Sequence, residues 1–204
     1  MKAFVLICLL ISSSLKASEF LPKSFSFDFE QVYKMSSSKK EKKNSGHVDY
    51  MYPGHIRFKV ISPDQVEFVT NSQKTWYYTA PFIDGEPGEL TERPRSKQMF
   101  LVNFFDQLKY GLNDNQNYKV EKINEGRKLL FTKKAKEELG MIMAEIYFDG
   151  NKEDFNHIKK VILTYPDNNS TKQGVLTLSQ VKTDLKFTTE HFVFKAPKNT
   201  IIGH

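Results

Sequence analysis

From residue 25 to residue 33 the chain alternates, with Phe25, Phe27 and Phe29 separated by Ser26 and Asp28. Alternation with period two puts rings on one face of a β-strand and polar groups on the other. The pattern predicts further strands over 47–52, 56–61, 66–70 and 75–79. Their turns fall at Pro53-Gly54, Ser62-Pro63-Asp64 and Asn71-Ser72. Connections this short imply an antiparallel meander, since parallel strands need long crossovers. Between Pro81 and Leu112 the period changes. Residues 84–94, rich in Gly, Pro and Glu, read as a loop with room for a short edge strand. Leu101, Phe104, Phe105 and Leu108 then follow helical spacing, which predicts a helix over 96–110. Ser96 is its candidate N-cap and Gly111 its candidate C-cap. Strands resume over 118–123, 128–133, 141–149, 158–165, 175–182 and 189–194. Ile142, Ala144, Ile146 and Phe148 share one face, as do Val161, Leu163 and Tyr165.

This is a mainly β chain with a little α, about 10–11 antiparallel strands in one strongly curved sheet. One helix of about fifteen residues cannot cover so much apolar strand face. The surplus must close into a barrel, meet a second sheet or line a cavity for an apolar ligand. There is no internal repeat.

The N-terminus changes the compartment. Met1-Lys2, an apolar run over 3–11 and small polar residues up to Ala17 have the layout of a secretory signal. The run is too short to cross a bilayer, which takes roughly 20 apolar residues. Cleavage is expected after Ala17, with Ser14 as the alternative, leaving 18–204 as a single domain. Cys8, the only cysteine, lies within the apolar run. Ile7 before it is too large for a lipidation signal. The mature chain therefore has neither disulfides nor thiol chemistry. Removing Lys2 and Lys16, with no acid in 1–17, lowers the formal charge from +6 to +4. So mild a balance argues against nucleic acid as a partner.

Candidate chemistry is sparse. The five histidines lack the spacing of a zinc protease, and no G-x-S-x-G elbow or phosphate loop occurs. His47 and His55 flank a turn and are expected to be exposed. Asp149-Gly150-Asn151 suggests a hairpin turn, since the acids after it do not fit an EF-hand. No enzyme, metal or cofactor is expected. The lysine-rich tip around Lys39-Lys40-Glu41-Lys42-Lys43 reads as a solvated loop. Its sharper reading is contact with an anionic membrane, worth about 1 kcal/mol per lysine. The sequons at Asn168-Asn169-Ser170-Thr171 carry little weight if the source is bacterial.

The order of these segments resembles the periplasmic lipoprotein carrier family, LolA. Phe25 to Gln31 matches its early F-x-x-F-x-Q strand. Gly46-His47-Val48, Pro53-Gly54 and Ile56-Arg57-Phe58 match its next strand, Pro turn and apolar-Arg-aromatic strand. Trp76-Tyr77-Tyr78-Thr79-Ala80-Pro81 resembles its W-x-Y-x-P segment. Tyr118-Lys119-Val120 resembles its re-entry strand. Phe192-Val193-Phe194-Lys195-Ala196-Pro197-Lys198-Asn199 resembles its closing F-x-F-x-x-P-x-G. There are two departures. The helix that usually precedes the first strand is missing or reduced to a turn, so Phe27 and Phe29 are expected near the cavity mouth. Tyr52 also stands where a basic gating residue is common.

The resemblance implies an open half-barrel with a helix and loop lid across its concave face. It implies a monomeric carrier in the periplasm of a Gram-negative bacterium. Its cavity would shield lipoprotein acyl chains between an inner-membrane ATP-driven releasing complex and the outer membrane or an acceptor there. A lipid or glycolipid sensor of the same fold, without a delivery role, is the alternative. The expected acyl-chain cavity takes Phe27, Phe29, Ile56, Phe58, Val66, Phe68, Trp76 and Tyr78 from the early strands. Leu101, Phe104, Phe105 and Leu108 come from the helix. Ile142, Ile146, Val161, Leu163, Leu176 and Leu178 come from the late strands. A buried chain of about 16 carbons gains on the order of 12 kcal/mol. Three fully buried chains would exceed the practical affinity ceiling of about 18–21 kcal/mol. A carrier that must also release its cargo therefore covers the chains incompletely or spends energy on opening.

Overall fold

The computed structural model describes residues 20–34, 41–96, 100–167 and 170–203. The proposed signal, Lys39-Lys40 of the basic tip, and Asn168 and Asn169 lie outside them. β1 (Ser24–Lys34), β2 (Glu41–Met51), β3 (His55–Ser62), β4 (Val66–Thr70), β5 (Lys74–Thr79) and β6 (Gly88–Pro94) form the first half. α1 (Phe100–Gln107) follows, running into a 3-10 turn at Leu108–Tyr110. β7 (Tyr118–Ile123), β8 (Gly126–Phe131), α2 (Lys133–Leu139), β9 (Met143–Phe148), β10 (Ile158–Asp167) and β11 (Ser170–Thr183) form the second half. A 3-10 turn at Thr189–Phe192 and β12 (Thr200–Gly203) close the chain.

All twelve strands join one open sheet in the order β12-β6-β5-β4-β3-β2-β1-β11-β10-β9-β8-β7. Only β12, which runs parallel to β6, departs from antiparallel pairing. β1 is central rather than terminal in this order, pairing β2 on one side and β11 on the other. It zips the two halves together, so its aromatic face lies over the middle of the sheet. Phe25, Phe27 and Phe29 are all buried there.

Three expectations about elements change. The strand expected at 189–194 is a 3-10 turn followed by extended chain, because this segment packs across the sheet rather than beside a strand. β12 supplies the extra strand. α2 was hidden because its seven residues expose all but Ala135 and Leu139, an i,i+4 pair too short to register as a periodic stripe. Gly140 ends α2 in the left-handed region, at φ 60°, and donates its N–H to the Lys136 carbonyl over 2.9 Å. Gly111 caps the end of α1 as expected, at φ 73°. Ser96 lies outside α1, which begins at Phe100.

The face covered by α1 and α2, the one expected to be concave, holds the main apolar core. Stacked rings dominate it. Phe25 lies 4.6 Å from Tyr50, 5.1 Å from Phe105 and 4.4 Å from Phe155 between ring centres. A second, smaller core of Val69, Trp76, Leu90 and Phe192 lies on the opposite face. The C-terminal segment covers it, with Phe194 against Tyr78 at 5.2 Å.

Candidate functional site

Strand register decides which expected side chains meet. Phe27 pairs with Val48, Val48 with Phe58, and Phe58 with Phe68. Directly paired residues share a face, so these four form one apolar row across the concave side. Phe29 stacks on Phe58 with centroids 4.7 Å apart. The room for that ring comes from Gly46, since a Cβ there would sit 2.8 Å from the Phe29 ring and 2.0 Å from the Lys59 carbonyl oxygen. Ile56 lies beneath the same surface, and Val66 pairs with Val60 at its rim. From β11, Leu178 pairs with Phe29 and Leu176 with Gln31. Beyond them, Val161 pairs with Leu176, Ile146 with Val161, and Leu163 with Ala144.

Helix α1 covers the Phe27 end of the row. Phe104, Phe105 and Leu108 are buried and Leu101 packs against the core from a half-buried position. Phe105 stands edge-on to both Phe25 and Phe27. In this closed arrangement the centre of the concave face is filled by the protein's own rings. Phe58, Phe68, Val66 and Leu178 remain half-buried around it.

Three expected residues lie elsewhere. Trp76 pairs with Val69 and Tyr78 with Glu67, so both face the convex core. Tyr77 takes the concave position opposite Phe68 and is exposed. Residues 76–78 are all aromatic, so alternation alone gave no direction. Ile142 precedes β9 and belongs to neither apolar cluster, whereas its neighbour Met141 is buried in the main one. Phe27 and Phe29, expected near a mouth, are sealed at 1% and 2% exposure by the rings of Phe105 and Phe58. Residues 20–23 form no helix. Spacing missed Val48, Tyr50 and Val102; the first two were legible as a continued alternation in β2.

The lid is tied down at one end. Asp106 of α1 accepts hydrogen bonds from the Tyr50 hydroxyl and, over 3.0 Å, from the Gly54 N–H. Burial first, and then the Asp106 carboxylate, raise the Tyr50 pKa well above its ordinary value, so the hydroxyl remains a donor. Lys109 donates to the Tyr52 hydroxyl over 3.2 Å and lies over the Tyr110 ring at 5.0 Å. Tyr118, whose burial raises its pKa to about 12, donates to the Gly111 carbonyl over 2.6 Å. At the other end of α1, Phe100 is exposed. The helix is thus pinned at its C-terminal end. Asp106→Ala leaves the buried Tyr50 hydroxyl without its acceptor, a cost of about 1–3 kcal/mol. Hydrogen exchange at residues 100–107 should accelerate by about tenfold or more, and unchanged exchange would show that the carboxylate does not hold the lid.

On the convex face, Arg57 holds the C-terminal segment. It donates from Nε and Nη2 to the His191 carbonyl over 3.0 and 2.8 Å and pairs with Glu67 through Nη1. His191 reaches Asp49 over 2.8 Å, and His47 sits between Asp28 at 2.5 Å and Asp49 at 3.1 Å. His47 and His55 are half-buried rather than exposed. The apolar-Arg-aromatic strand and the closing aromatic segment, distant in sequence, are therefore one structural unit. Among the described residues no group of three or more His, Cys, Asp or Glu side chains is placed to hold a metal ion. No described helix is long and apolar enough to cross a membrane.

The fold has a solved counterpart. A LolA superfamily protein from Nitrosomonas europaea superposes with a TM-score of 0.50 at 11% identity, covering 86% of this chain and 92% of its own. A conserved protein from Thermus thermophilus superposes at 0.48 and 11% identity, covering 90% and 92%. No curated protein gives a significant sequence match. The sequence profile of the family described as outer membrane lipoprotein carrier protein LolA matches residues 22–195. A match of that extent includes both halves of the sheet, the lid helix and the segment clasped by Arg57, and the chain belongs to the LolA family.

Proposed function

We propose that this protein is a periplasmic carrier that takes lipoprotein acyl chains on its concave face and moves them from the inner to the outer membrane. The observation that carries this reading is the apolar row from Phe27 to Phe68, which starts beneath a helix pinned at one end and continues beside it. Family membership supports the carrier class. Acyl chains would enter as α1 lifts, replacing its contacts with Phe25, Phe27 and Tyr50. The Phe105 ring then leaves a place that a chain fills, so the gain from burying the chain is offset by the loss of self-packing. A net affinity well below the ceiling of about 18–21 kcal/mol follows, and release stays feasible.

The donor would be an inner-membrane ATP-driven releasing complex and the acceptor the outer membrane or a protein on it. The carrier would act as a monomer without a cofactor and without catalysing a reaction. Native mass spectrometry of the protein isolated from its own periplasm tests the proposal. A triacylated polypeptide in the complex is the expected result. Free lipid alone would favour a sensor, and turnover of a bound molecule would overturn the carrier reading.

A further inference from the structure

We propose that the pinned end of the lid carries a binding site for a phosphate group, presented by a lipid headgroup or by a soluble phosphate ester. The site is a cavity of about 250 Å³ lined by Leu21, Pro22, Lys23, Tyr52, Lys109 and Tyr110. Three parts of the chain meet there: the entry to β1, the turn after β2 and the 3-10 turn that follows α1. The volume falls below the roughly 300–1,000 Å³ of sites for drug-sized ligands, so its occupant is a compact group. None of the lining residues belongs to the apolar row from Phe27 to Phe68, so the site does not depend on the carrier reading.

Charge and hydrogen-bonding capacity select the occupant. Lys23 and Lys109 are exposed, and neither makes an ion pair among the described residues. Among those residues no acid lines the cavity. Asp106, one turn before Tyr110, instead accepts from the Tyr50 hydroxyl and the Gly54 N–H. Asp184 is outside the lining too, although its backbone N–H reaches the Ser24 carbonyl over 2.8 Å. Lys109 is held in place by the Tyr52 hydroxyl at 3.2 Å and by the Tyr52 and Tyr110 rings, whose centres lie 5.7 and 5.0 Å away. An ammonium carries three donors, and Tyr52 uses one of them. The Tyr52 hydroxyl accepts that bond, which leaves its own proton to donate. The rim therefore offers donors and two positive charges, the complement of an anion that only accepts.

Geometry favours phosphate over carboxylate. The Tyr52 N–H donates to the Lys23 carbonyl over 2.8 Å, which ties the entry of β1 to the turn and fixes two walls of the cavity. Leu21 is buried in the main core and, with Pro22, supplies an apolar floor. Lys23, Tyr52 and Lys109 bring their donors from three separate elements. A tetrahedral phosphate turns a different oxygen to each, whereas a carboxylate has two oxygens in one plane. Lysine binds phosphate as a point charge and needs no planar fork to do so. The apolar floor meets the carbon that an ester carries beside its phosphate.

Isothermal titration calorimetry with glycerol 3-phosphate and with acetate tests the anion; the phosphate ester should bind saturably and acetate should not. Co-sedimentation with phosphatidylglycerol or phosphatidylcholine vesicles separates the two sources. Retention on phosphatidylglycerol alone assigns the site to lipid headgroups, and binding of glycerol 3-phosphate without retention assigns it to a soluble ester. Lys23→Glu should weaken the observed binding by about tenfold or more. Lys198→Glu makes the same charge change at an exposed lysine outside the cavity and should leave binding nearly unchanged. Lys23 is exposed and its carbonyl makes the bond to Tyr52, so thermal unfolding of Lys23→Glu should match that of the parent protein. Its acyl-chain binding should also be unchanged, which separates failure here from failure of the carrier reading. The proposal is overturned if neither the ester nor phosphatidylglycerol binds, or if acetate binds as tightly as the ester. It is equally overturned if both kinds of vesicle are retained alike without ester binding, if Lys23→Glu binds like the parent, or if the two variants weaken binding equally.

Discussion

Phe58→Glu should remove acyl-chain binding while leaving the fold in place. Phe58 is half-buried on the concave row, stacked on Phe29 and paired across strands with Val48 and Phe68. In the closed protein a glutamate there can turn toward water, so folding loses little more than one ring contact of about 0.5–1.5 kcal/mol. In the loaded protein the same carboxylate faces hydrocarbon with no donor to meet it. Desolvating it, together with the lost apolar contact, costs several kcal/mol, and about 3 kcal/mol already weakens binding roughly a hundredfold. Displacement of a fluorescent fatty-acyl probe measures the loss, and near-UV circular dichroism measures the fold. Unchanged probe affinity with an intact fold would place the cargo elsewhere.

The largest effect on stability is expected from Phe25→Ala. This ring is fully buried and contacts Phe27, Tyr50, Phe105 and Phe155, so it joins both central strands to the lid. Truncating a packed phenylalanine leaves a cavity that rigid neighbours cannot fill, at a cost of about 3–5 kcal/mol. For a chain of this size that lowers the melting temperature by roughly 10 °C. Urea unfolding followed by Trp76, the only tryptophan in the chain, gives the free energy directly. A loss below about 1 kcal/mol would mean that the lid and the strands unfold independently of this ring.

The two variants probe different layers of one surface. Phe25 lies under the lid, where the protein packs on itself. Phe58 lies beside the lid and stays half-buried. Sequence reading placed Phe27, Phe29 and Phe58 in one set with Trp76 and Tyr78, because all are aromatic residues of adjacent strands. Only Phe27, Phe29 and Phe58 share the face. In β1 a strict alternation of ring and polar residue states the direction of every side chain. In β5 three consecutive rings do not, and pairing with β4 sends Tyr77 inward and Trp76 outward. A strand rotated by one residue exchanges its faces completely, so local ambiguity became a whole-set error.

The family motifs divide in the same way. Their order along the chain was readable, but the contact between Arg57 and the segment ending in Phe194 was not. Arg57 reads as a charged residue between two apolar ones. Its role arises because β3 lies under a segment more than a hundred positions later. The lid latch has a similar origin. Asp106 has no capping or pairing signature in α1, and its partners are a strand hydroxyl and a turn amide.

By itself the sequence determined the alternating strands, the amphipathic stripe of α1, the scarcity of catalytic motifs and the family pattern. All of these follow from intervals of two to four residues, where backbone geometry alone dictates side-chain direction. Tertiary structure alone decided that β1 is central, that a second core forms on the convex side and that the concave rings are closed over by Phe105. These depend on which distant strands pair and in what register, and no local interval encodes that choice.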